Sequence, residues 1–477
     1  MINNSIWLKG LKTTAQKKII ENLETDILII GAGITGLTTA YFLQDKKVVL
    51  IDKNKIGYGA TSYSTGKITY LQDSLIKDSK EKEDLYLTSQ IKALNLIKNI
   101  IINNNIKCNY ESNSSILYAT KENEIKKIKK IEKILKRNNI PYKYKNSESL
   151  YNSIYAIRVD NTAVINPAKY LLELKRILKE KIDIYENSIA TDFEYIDNKF
   201  IVKVNNKTIT AKILIVTTHY PFLVSLGLIP FKSYIEKSYL ASIEIDKNKK
   251  LNAIAKNGNY SIRYYSDQKE HLIYCSCGKK LSHNINDNNV VKNITWELKS
   301  KYNKKIKYIW SNTDIMSNDL IPFAGKIENN LYIATGYSTW GLTNGTISAK
   351  IISDIILKKE NKYQELFNPK RFGNFLNLIT NNLSTAKTYI LSKLIKNYSF
   401  YEDNVIVYTK DGIRYGKYID QNNNEHIVYN KCPHMKCNLI FNNVSKTWDC
   451  PCHSSRFDID GNIIHGPAHY SIKVEKK

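Results

Sequence analysis

The pattern of apolar and polar positions near the N-terminus predicts a strand, a helix and a second strand in close succession. Residues 26–30 form a short apolar run, and apolar residues then recur with helical spacing between 37 and 43. A second apolar run covers residues 48–51. This order predicts a β-α-β unit, in which a helix connects two strands.

Further along the chain, the same kind of pattern predicts two helices, a region of short strands and a return to helix. Residues 83–102 and 121–137 have helical spacing, and the second of these helices has one apolar face with Lys on the others. Short runs rich in β-branched and aromatic residues lie between 222 and 308. A helical pattern covers 359–398, and strands are predicted again from about residue 404.

Composition indicates a globular protein of more than one domain. The chain has 477 residues, which exceeds what one hydrophobic core usually holds, so two or three domains are expected. Its hydrophobic content of 43% and charged content of 24% are ordinary for a globular protein. We find no apolar run as long as a membrane span and no secretory signal, and therefore expect a cytoplasmic protein without a transmembrane segment.

The formal net charge of +26 suggests nucleic acid or an anionic membrane as a partner. The charges are spread along the chain, however, and abundant Lys, Asn and Ile are what an AT-rich coding sequence produces. We therefore predict no nucleic-acid partner. Peripheral membrane contact through the basic helix 121–137 is the alternative to packing of that helix on its domain. An acidic redox partner is a further alternative.

A glycine-rich motif follows the first predicted strand and opens the helix. Gly31, Gly33 and Gly36 form G-x-G-x-x-G, and Asp52 ends the second strand 21 positions after the first glycine. This arrangement is typical of dinucleotide binding. Gly31 allows the turn, Gly33 lets the backbone approach a pyrophosphate, and Gly36 lets the helix pack on the strand. The helix N-terminus attracts phosphate, and Asp52 is expected to bind the adenosine ribose hydroxyls.

Near the C-terminus, cysteine and histidine residues form the pattern C-x-H…C-x-x-H. Its members are Cys432, His434, Cys450 and His453. Their spacing alone fits either a Cys2His2 zinc site or a Rieske [2Fe–2S] cluster, in which thiolates bind one iron and imidazoles the other. Two further cysteines, Cys437 and Cys452, lie one in each of the two loops.

This region resembles Rieske domains of the cytochrome bc type. Residues 457–468 read F-x-x-x-G-x-x-x-x-G-P-A, which resembles the loop that covers the cluster. The resemblance implies a [2Fe–2S] cluster on the two Cys and two His, and a disulfide between Cys437 and Cys452. Such a disulfide is unusual in a reducing cytosol unless the loops shield it. Ser455 matches a serine that donates to a cluster sulfur in high-potential relatives, whereas Phe457 replaces their hydrogen-bonding tyrosine, so we expect an intermediate potential.

Residues 5–360 resemble the D-amino-acid oxidase family of flavoproteins. The matching segments are the loop 57–67, the apolar strand 211–218, and the late motifs 319–325 and 332–337. A binder of NAD alone would not need these late returns to the nucleotide, so the resemblance implies FAD. A helix from about residue 346 is expected to direct its N-terminus toward the flavin.

The residues expected to bind FAD lie in these motifs and in the first glycine-rich loop. They are Gly31, Gly33, Ile34, Thr35, Gly36, Asp52, Lys53, Gly59, Ala60, Thr61, Ser62, Thr65, Gly66, Lys67, Thr217, Gly336, Gly341, Leu342 and Thr343.

The two resemblances together imply an α/β + β fold. It comprises an interrupted Rossmann-like FAD-binding domain with an antiparallel substrate-binding sheet, and a C-terminal all-β Rieske domain. We expect the oxidoreductase part to span 1–365, a helical linker 366–398 and the Rieske domain 399–477. Within the first part, FAD binding is assigned to 20–80, 150–220 and 310–360, and substrate binding to 81–149 and 221–309.

The flavoprotein resemblance implies oxidation of the C–N bond of a small amine or amino-acid substrate. A flavin accepts a hydride equivalent, whereas a [2Fe–2S] cluster accepts one electron at a time. We therefore expect electrons to pass from the substrate to FAD, to the Rieske cluster and to an external electron acceptor. A reductase or redox sensor with inward electron flow and no amine substrate is the alternative. A zinc-stapled binding module on a vestigial flavoprotein is a third interpretation.

Four residues are candidates for roles beside the flavin. Lys67 is expected to stabilise reduced-flavin charge or to activate oxygen, with a phosphate-binding or surface lysine as the alternative. His219 ends a FAD-side strand and is a candidate for the cavity or for a strand cap. Arg263 is a candidate for binding a substrate carboxylate from the sheet, and Trp340 for walling the flavin site; an exposed strand residue and a core residue are the respective alternatives.

Overall fold

The computed structural model describes most of the chain. The described residues are 4–11, 17–144, 153–221, 223, 226–246, 251–255, 260–276, 279–280, 287–374, 377–380, 382–383, 386–387, 390, 404–443, 445–452, 455–468 and 470–474. The predicted cluster ligand His453 and residues 391–403, which include the end of the predicted linker, lie outside them.

Helices and strands alternate in the first three quarters of the chain, and strands alone form the last part. The helices are α1 (Ile34–Phe42), α2 (Lys80–Asn103), α3 (Glu122–Arg137), α4 (Pro167–Leu178), α5 (Ile229–Lys232), α6 (Asp287–Tyr302), α7 (Gly341–Ile356) and α8 (Gln364–Phe367). The strands are β1 (Leu23–Ile30), β2 (Val48–Ile51), β3 (Lys67–Ile68), β4 (Glu111–Ala119), β5 (Lys143–Tyr144), β6 (Tyr155–Val164), β7 (Asp183–Tyr185), β8 (Ala190–Ile196), β9 (Lys199–Val204), β10 (Lys207–Val216), β11 (Ser233–Ile245), β12 (Leu251–Ala255), β13 (Tyr260–Ser266), β14 (Glu270–Ser276), β15 (Lys279–Lys280), β16 (Ile306–Ser317), β17 (Phe323–Glu328), β18 (Leu331–Thr335), β19 (Val405–Lys410), β20 (Ile413–Ile419), β21 (Glu425–Tyr429), β22 (Ile440–Asn442), β23 (Thr447–Asp449), β24 (Arg456–Phe457) and β25 (Ile463–His465).

The first sheet carries the predicted β-α-β unit at its centre. Its strand order is β17-β18-β10-β1-β2-β7, and β10, β1, β2, β7 and β18 run parallel. Residues 27–30 of β1 and all of β2 are buried on both faces, which explains their continuous apolar runs. Because parallel strands end at one edge, the loops after β1, β2 and β10 meet there.

The second sheet is the inserted one, and it draws on more of the chain than the predicted substrate segments. Its order is β15-β11-β14-β13-β12-β4-β6-β3, with β16 paired to β11. Strands β3, β6 and β16 therefore join it from segments assigned to FAD binding. The pairing is antiparallel as predicted except between β4 and β12, which are parallel. A parallel pair is possible there because a long connection separates the two strands.

The C-terminal part contains two small antiparallel sheets, β19-β20-β21 and β22-β23-β24-β25. They begin at Val405, next to the predicted start. Trp448 and Phe457 are fully buried between them, together with the cysteines. The all-β character predicted for this part is confirmed. The described residues between 377 and 390 are helical, as predicted for the linker.

The helices show why their sequences fold locally. In α3, Glu124 accepts hydrogen bonds from the backbone N–H groups of Thr120 and Lys121, which caps the helix. Its apolar face, including Ile128 and Ile131, is buried, so α3 packs on its domain as the favoured interpretation had it. The helix predicted from about residue 346 begins five residues earlier, at Gly341, and Gly345 lies inside it, where its lack of a side chain lets the helix pack closely on α1. Among the described residues, we find no helix with the length and apolar character needed to span a membrane.

Candidate active site and cluster site

The loop after β1 has the geometry that its three glycines predict. Gly31 has a positive φ of 101°, and a Cβ there would lie 2.7 Å from the carbonyl oxygen of Thr217. A Cβ at Gly36 would lie 1.8 Å from the carbonyl oxygen of Gly31. At Gly33, a Cβ would meet only the Thr61 hydroxyl, at 3.6 Å. The turn and the close helix packing thus exclude side chains, while the middle of the loop lies open for a ligand to approach.

Asp52 follows β2, and its carboxylate is hydrogen-bonded to the glycine-rich loop. One carboxylate oxygen accepts from the backbone N–H of Ala32 and the other from that of Asn54, both at 2.8 Å. Burial raises the pKa of Asp52, and these two donors oppose that rise. Burial likewise lowers the pKa of the neighbouring Lys53 to about 8. Both side chains line the cavity beside the loop.

The N-terminal segment fixes the second predicted FAD loop. The Ser5 hydroxyl donates to the carbonyl oxygen of Ser62 at 2.7 Å, and the Trp7 indole N–H donates to that of Ser64 at 2.7 Å. Within the loop, the Thr61 hydroxyl accepts from the backbone N–H of Ile34, at the start of α1, at 3.3 Å. The loop is therefore held against the helix N-terminus.

These loops open on a cavity of about 600 Å³. Most of the predicted FAD residues line it; they are Gly31, Gly33, Ile34, Thr35, Asp52, Lys53, Gly59, Ala60, Thr61, Thr65, Lys67, Thr217, Gly341 and Leu342. The others are buried and are not part of the lining; they are Gly36, Ser62, Gly66, Gly336 and Thr343.

Helix α7 reaches the same cavity with its first turn. A Cβ at Gly345 would lie 2.7 Å from the Thr35 hydroxyl and 2.8 Å from the Ile34 side chain, so this glycine lets α7 and α1 touch. The N-termini of two helices consequently point at one space, where their dipoles favour negative charge. An open glycine backbone, two helix N-termini and an acidic residue after β2 fit a phosphate-bridged dinucleotide such as FAD.

Three of the four candidate catalytic residues line this cavity. The Lys67 ammonium donates to the carbonyl oxygen of Ala253 at 2.9 Å and to the Ser261 hydroxyl, so it is anchored to the second sheet. His219 donates through Nε2 to the carbonyl oxygen of Thr313 at 2.9 Å, and burial lowers its pKa. The Trp340 indole donates to Asp73 at 3.1 Å.

Arg263 lies elsewhere. It is not part of the cavity lining, and its guanidinium stacks on Trp7 with 4.6 Å between the charged carbon and the ring centre. It also donates to the carbonyl oxygen of Thr65, and burial lowers its pKa to about 9. The fully buried Arg263 therefore supports the second FAD loop from behind, and its position gives no support to the predicted role in binding a substrate carboxylate.

Two carboxyl groups in the cavity were not predicted from the sequence. Glu236 of β11 and Asp314 of β16 are directly opposite each other in the antiparallel pairing, and both line the cavity. Burial raises the pKa of Asp314 to about 7. No local motif marks either residue, because their proximity depends on the pairing of strands about 70 positions apart. The alternation of Tyr234, Glu236 and Ser238 was the available signal, since it puts these residues on one face.

Each of the two C-terminal loops contains one cysteine in a disulfide and one cysteine outside it. Cys437 and Cys452 form a disulfide, as predicted, and Cys432 and Cys450 are buried free thiols. The sulfur atoms of Cys437, Cys450 and Cys452 lie within 4.8 Å of one another, but the disulfide removes the first and last as ligands. A hydrogen bond with Cys450, aided by backbone N–H groups and Ser455, lowers the pKa of Cys432 to about 7 despite burial.

Two neighbouring unlinked thiols, one of them favoured as a thiolate, fit the cysteine half of a [2Fe–2S] site. His434 is half-buried in the first loop, and the remaining predicted ligand, His453, is not among the described residues. Ser455 also accepts from the backbone N–H of Ala468 at 3.1 Å, which holds the predicted covering loop over the ligand loops.

Strand β24 and the predicted covering segment form one side of the flavin cavity. Arg456, Gly466 and Ala468 are part of its lining. Lys53 Nζ lies 3.5 Å from the carbonyl oxygen of Gly466, and Asn54 donates to that of Ile464 at 2.9 Å. The covering segment of the C-terminal part therefore lies directly beside the predicted flavin site.

Ion pairing also joins the C-terminal part to the second sheet. Lys237 of β11 lies 2.9 Å from Asp449, the residue before Cys450, and Arg456 pairs with the same carboxylate at 3.0 Å. The Lys237 side chain is 4% exposed and that of Asp449 15%, so this pair is largely shielded from solvent.

Comparisons with known proteins agree with both sites. The family model described as FAD dependent oxidoreductase matches residues 26–355, and that of the Rieske [2Fe-2S] domain matches residues 390–475. The protein YhfW of Bacillus subtilis (strain 168), named as a Rieske 2Fe-2S iron-sulfur protein, is 30% identical over 98% of this chain and 96% of its own length.

Solved structures agree at the level of the fold. Glycine oxidase from Geobacillus kaustophilus has a TM-score of 0.64 at 16% identity, covering 73% of this chain and 99% of that one. L-proline dehydrogenase from P. horikoshii also has a TM-score of 0.64, at 18% identity, covering 74% and 98%. The predicted fold and both cofactors are thereby confirmed: the chain belongs to the FAD dependent oxidoreductase family, uses FAD, and carries a C-terminal Rieske domain with a [2Fe–2S] cluster.

Proposed function

We propose that the protein oxidises the C–N bond of an amine or amino acid and passes electrons singly from FAD to its Rieske cluster and on to an external acceptor. One observation carries the proposal: Arg456 of β24 and Gly466 and Ala468 of the covering segment form part of the wall of the flavin cavity. Electron transfer between two centres needs such proximity, whereas an independently acting electron carrier would not need it.

The segment after β10 supports a short path between the two sites. Tyr220 lines the cavity next to His219 and is buried. Burial and, secondarily, the charge of Cys450 raise the pKa of Tyr220, so the cavity wall lies within electrostatic reach of a cluster ligand. In this proposal the cluster receives electrons across the wall that Tyr220 forms.

The chemistry of the two cofactors supports the direction of flow. FAD supplies a two-electron acceptor for the substrate, and the cluster takes electrons one at a time. The chain itself orients the substrate carbon and excludes water, and an acid–base triad is not required. Solved neighbours named glycine oxidase and L-proline dehydrogenase support a C–N substrate, although the likeness at 16–18% identity extends to the fold alone.

In this proposal the residues on different sides of the cavity have different roles. Gly31, Gly33 and the N-terminus of α1 would hold the pyrophosphate of FAD, and Asp52 would hold its ribose. With FAD bound, the N-terminus of α7 would stabilise negative charge in the cavity, together with Lys67, whose ammonium is held there by Ala253 and Ser261. Trp340, fixed by Asp73, walls the site, and His219 holds the wall by its bond to Thr313.

Anaerobic mixing of the purified protein with a panel of amines and amino acids tests the proposal. We expect flavin absorbance to fall first and the paramagnetic signal of the reduced cluster to follow. In Cys450→Ser, which removes a predicted cluster ligand, the flavin should still bleach and remain reduced. Flavin that never bleaches with any member of the panel, while an external reductant reduces the cluster before the flavin, would support the inward-flow alternative instead.

A further inference from the structure

The helical segment of the predicted linker meets the first part of the chain with asparagine side chains. The described residues 377–380, 382–383, 386–387 and 390 are helical. The Asn377 amide donates to the carbonyl oxygen of Asn318 at 3.0 Å, and the Asn382 amide donates to that of Phe231 in α5 at 2.8 Å. A helix on the surface of a globular protein usually turns its apolar side to the domain. In this segment the side that is bonded to the domain is polar.

Apolar residues of the same segment face the solvent. Ile379, Leu383, Ala386 and Ile390 recur three and four positions apart, so they form one stripe along the helix. All of them are exposed, and the exposed fraction is 66% for Leu383 and 55% for Ile390. Single exposed apolar residues are ordinary, whereas a row of them along about three turns marks an interaction surface.

Large exposed side chains at α5 and before the stripe enlarge this surface. Phe231, whose carbonyl oxygen accepts from Asn382, is half-exposed, and so is Leu228, which directly precedes α5. Phe372 is exposed, and its ring centre lies 5.3 Å from the Lys232 ammonium. We call this set the linker surface; it comprises Leu228, Phe231, Phe372, Ile379, Leu383, Ala386 and Ile390.

The charged residues of the linker are all positive. Its sequence, residues 366–398, contains no Asp or Glu, and its cations are Lys370, Arg371, Lys387, Lys393 and Lys396. Arg371 is paired with Asp319 at 2.8 Å, and Lys370 and Lys387 are exposed. A second copy of the chain on the linker surface would bring these cations against one another, because a twofold interface joins identical surfaces. The charge therefore favours an anionic occupant.

We propose that the linker surface binds the anionic surface of a lipid bilayer, with the apolar stripe inserted among the headgroups and the lysines beside the lipid phosphates. Amphipathic helices with Lys on their polar sides lie in the membrane interface in this way. Lys side chains can cover apolar surface with their stems and still reach the phosphates with their ammonium groups. This binding depends neither on the substrate nor on the direction of electron flow.

Vesicle flotation with the FAD-loaded, full-length protein tests the proposal. We expect the protein to float with vesicles of phosphatidylcholine that contain about one-third phosphatidylglycerol, and to bind pure phosphatidylcholine vesicles at least about tenfold more weakly. Absence of binding to the mixed vesicles overturns the proposal. Equal binding to both kinds of vesicle overturns it as well, since the lysines would then contribute nothing.

A variant that keeps every charge separates the linker surface from the overall charge of +26. Leu383→Gln should weaken binding to the mixed vesicles by about tenfold, because one large apolar side chain no longer leaves water. Since Leu383 is already exposed, FAD content and anaerobic flavin reduction should be unchanged. Ile102→Gln is the matched control, because Ile102 is 61% exposed on another helix, α2. Wild-type binding by Leu383→Gln, or an equal loss in Ile102→Gln, overturns the assignment to this surface.

The charge and the competing occupant are tested in the same way. Lys387→Gln should weaken binding to the mixed vesicles by about three- to tenfold and leave the weak binding to phosphatidylcholine unchanged. Sedimentation velocity without lipid measures the oligomeric state, which should be the same for the wild-type protein and Leu383→Gln. A wild-type dimer that Leu383→Gln converts to a monomer would assign the linker surface to a second copy of the chain and overturn the proposal.

Discussion

Two acidic residues face the same cavity in opposite circumstances. Asp52, on the nucleotide wall, accepts two backbone N–H groups at 2.8 Å, and the loop it holds is built from glycines and helix N-termini. Asp314, on the sheet wall, faces Glu236 across a strand pair, and burial leaves its pKa raised to about 7. Two backbone donors thus oppose the rise in the pKa of Asp52, whereas burial alone sets the rise in the pKa of Asp314.

That difference separates what the family shares from what the individual enzyme selects. A backbone cradle serves any protein that binds the same dinucleotide, so its residues follow a motif. Side chains on an inserted sheet can change without disturbing the cradle, because they project from the sheet and take no part in its backbone hydrogen bonds. The nucleotide wall should therefore be intolerant of small steric changes, and the sheet wall responsive to changes of charge.

The largest expected effect comes from a steric change in the nucleotide wall. In Gly36→Ala, the added Cβ would lie 1.8 Å from the carbonyl oxygen of Gly31, and backbone cannot yield cheaply. We expect FAD affinity to fall by about 10- to 100-fold or more, measured by flavin fluorescence released on dilution. Retention of the Rieske cluster signal serves as the internal control for folding of the C-terminal part. Full FAD occupancy in this variant would contradict the packing role.

The next effect concerns the ion pair between the sheet wall and the cluster loop. In Lys237→Met, Asp449 keeps Arg456 and the Asn442 amide, both within the C-terminal part, so that part should fold. This ion pair across the boundary is lost while the contacts of Lys53 and Asn54 with the covering segment remain, and we expect cluster reduction after flavin reduction to slow by about tenfold. Flavin reduction itself should be unchanged in stopped-flow measurements.

Lys269→Met is the matched control for that change, because Lys269 pairs with Glu244 on the exposed edge of the same sheet. Lys237→Arg should restore most of the rate, since it keeps the positive charge beside Asp449. A slow rate in the arginine variant, or an equal slowing in the control, would mean that Lys237 acts on folding of the sheet instead of on docking.

The same contrast explains how much the sequence could predict. The turn at Gly31, the helix after it and the position of Asp52 follow from local spacing, and the Cys437–Cys452 disulfide followed from a family resemblance. The proximity of Glu236 and Asp314 could not be predicted. The alternation along a strand shows which of its residues share a face, but it does not show which distant strand pairs with it. Arg263 was misleading for that reason: its strand was expected correctly, but the Trp7 stack that holds it comes from the other end of the chain.

A smaller effect concerns stability and its dependence on pH. The pKa of Asp314 is raised in the folded protein to about 7 from an ordinary value of 3.8, so the folded state binds this proton more tightly. Its contribution to stability is therefore fully favourable below about pH 4 and is lost as pH rises toward 7. Asp314→Asn should leave stability unchanged near pH 4 and raise it by about 1–2 kcal/mol at pH 8, after discount for cavity water.

Thermal unfolding of the FAD-loaded protein at the two pH values measures this difference. Glu244→Gln is the comparison. The hydrogen bond and charge interaction of Glu244 with Lys269 lower the pKa of Glu244, so its contribution to stability changes with pH in the opposite direction. A Tm gain that is equal at both pH values would mean that the asparagine acts through packing, and the contrast between the two walls would then have to rest on geometry alone.

The smallest expected effect lies at the cluster, where neither backbone nor charge changes. Phe457 is fully buried and paired with Trp448 across β23 and β24, two residues after Ser455, whose hydroxyl aids the thiolate of Cys432. Phe457→Tyr adds a donor at the position where high-potential Rieske relatives have a tyrosine. Because the reduced cluster is more negative and gains more from a hydrogen bond of about 1 kcal/mol, the potential should rise by about 40 mV. Phe441→Tyr, a change at another buried phenylalanine of the same part, should leave a voltammetric titration unmoved; a fall or no change in Phe457→Tyr would refute the hydrogen-bond argument.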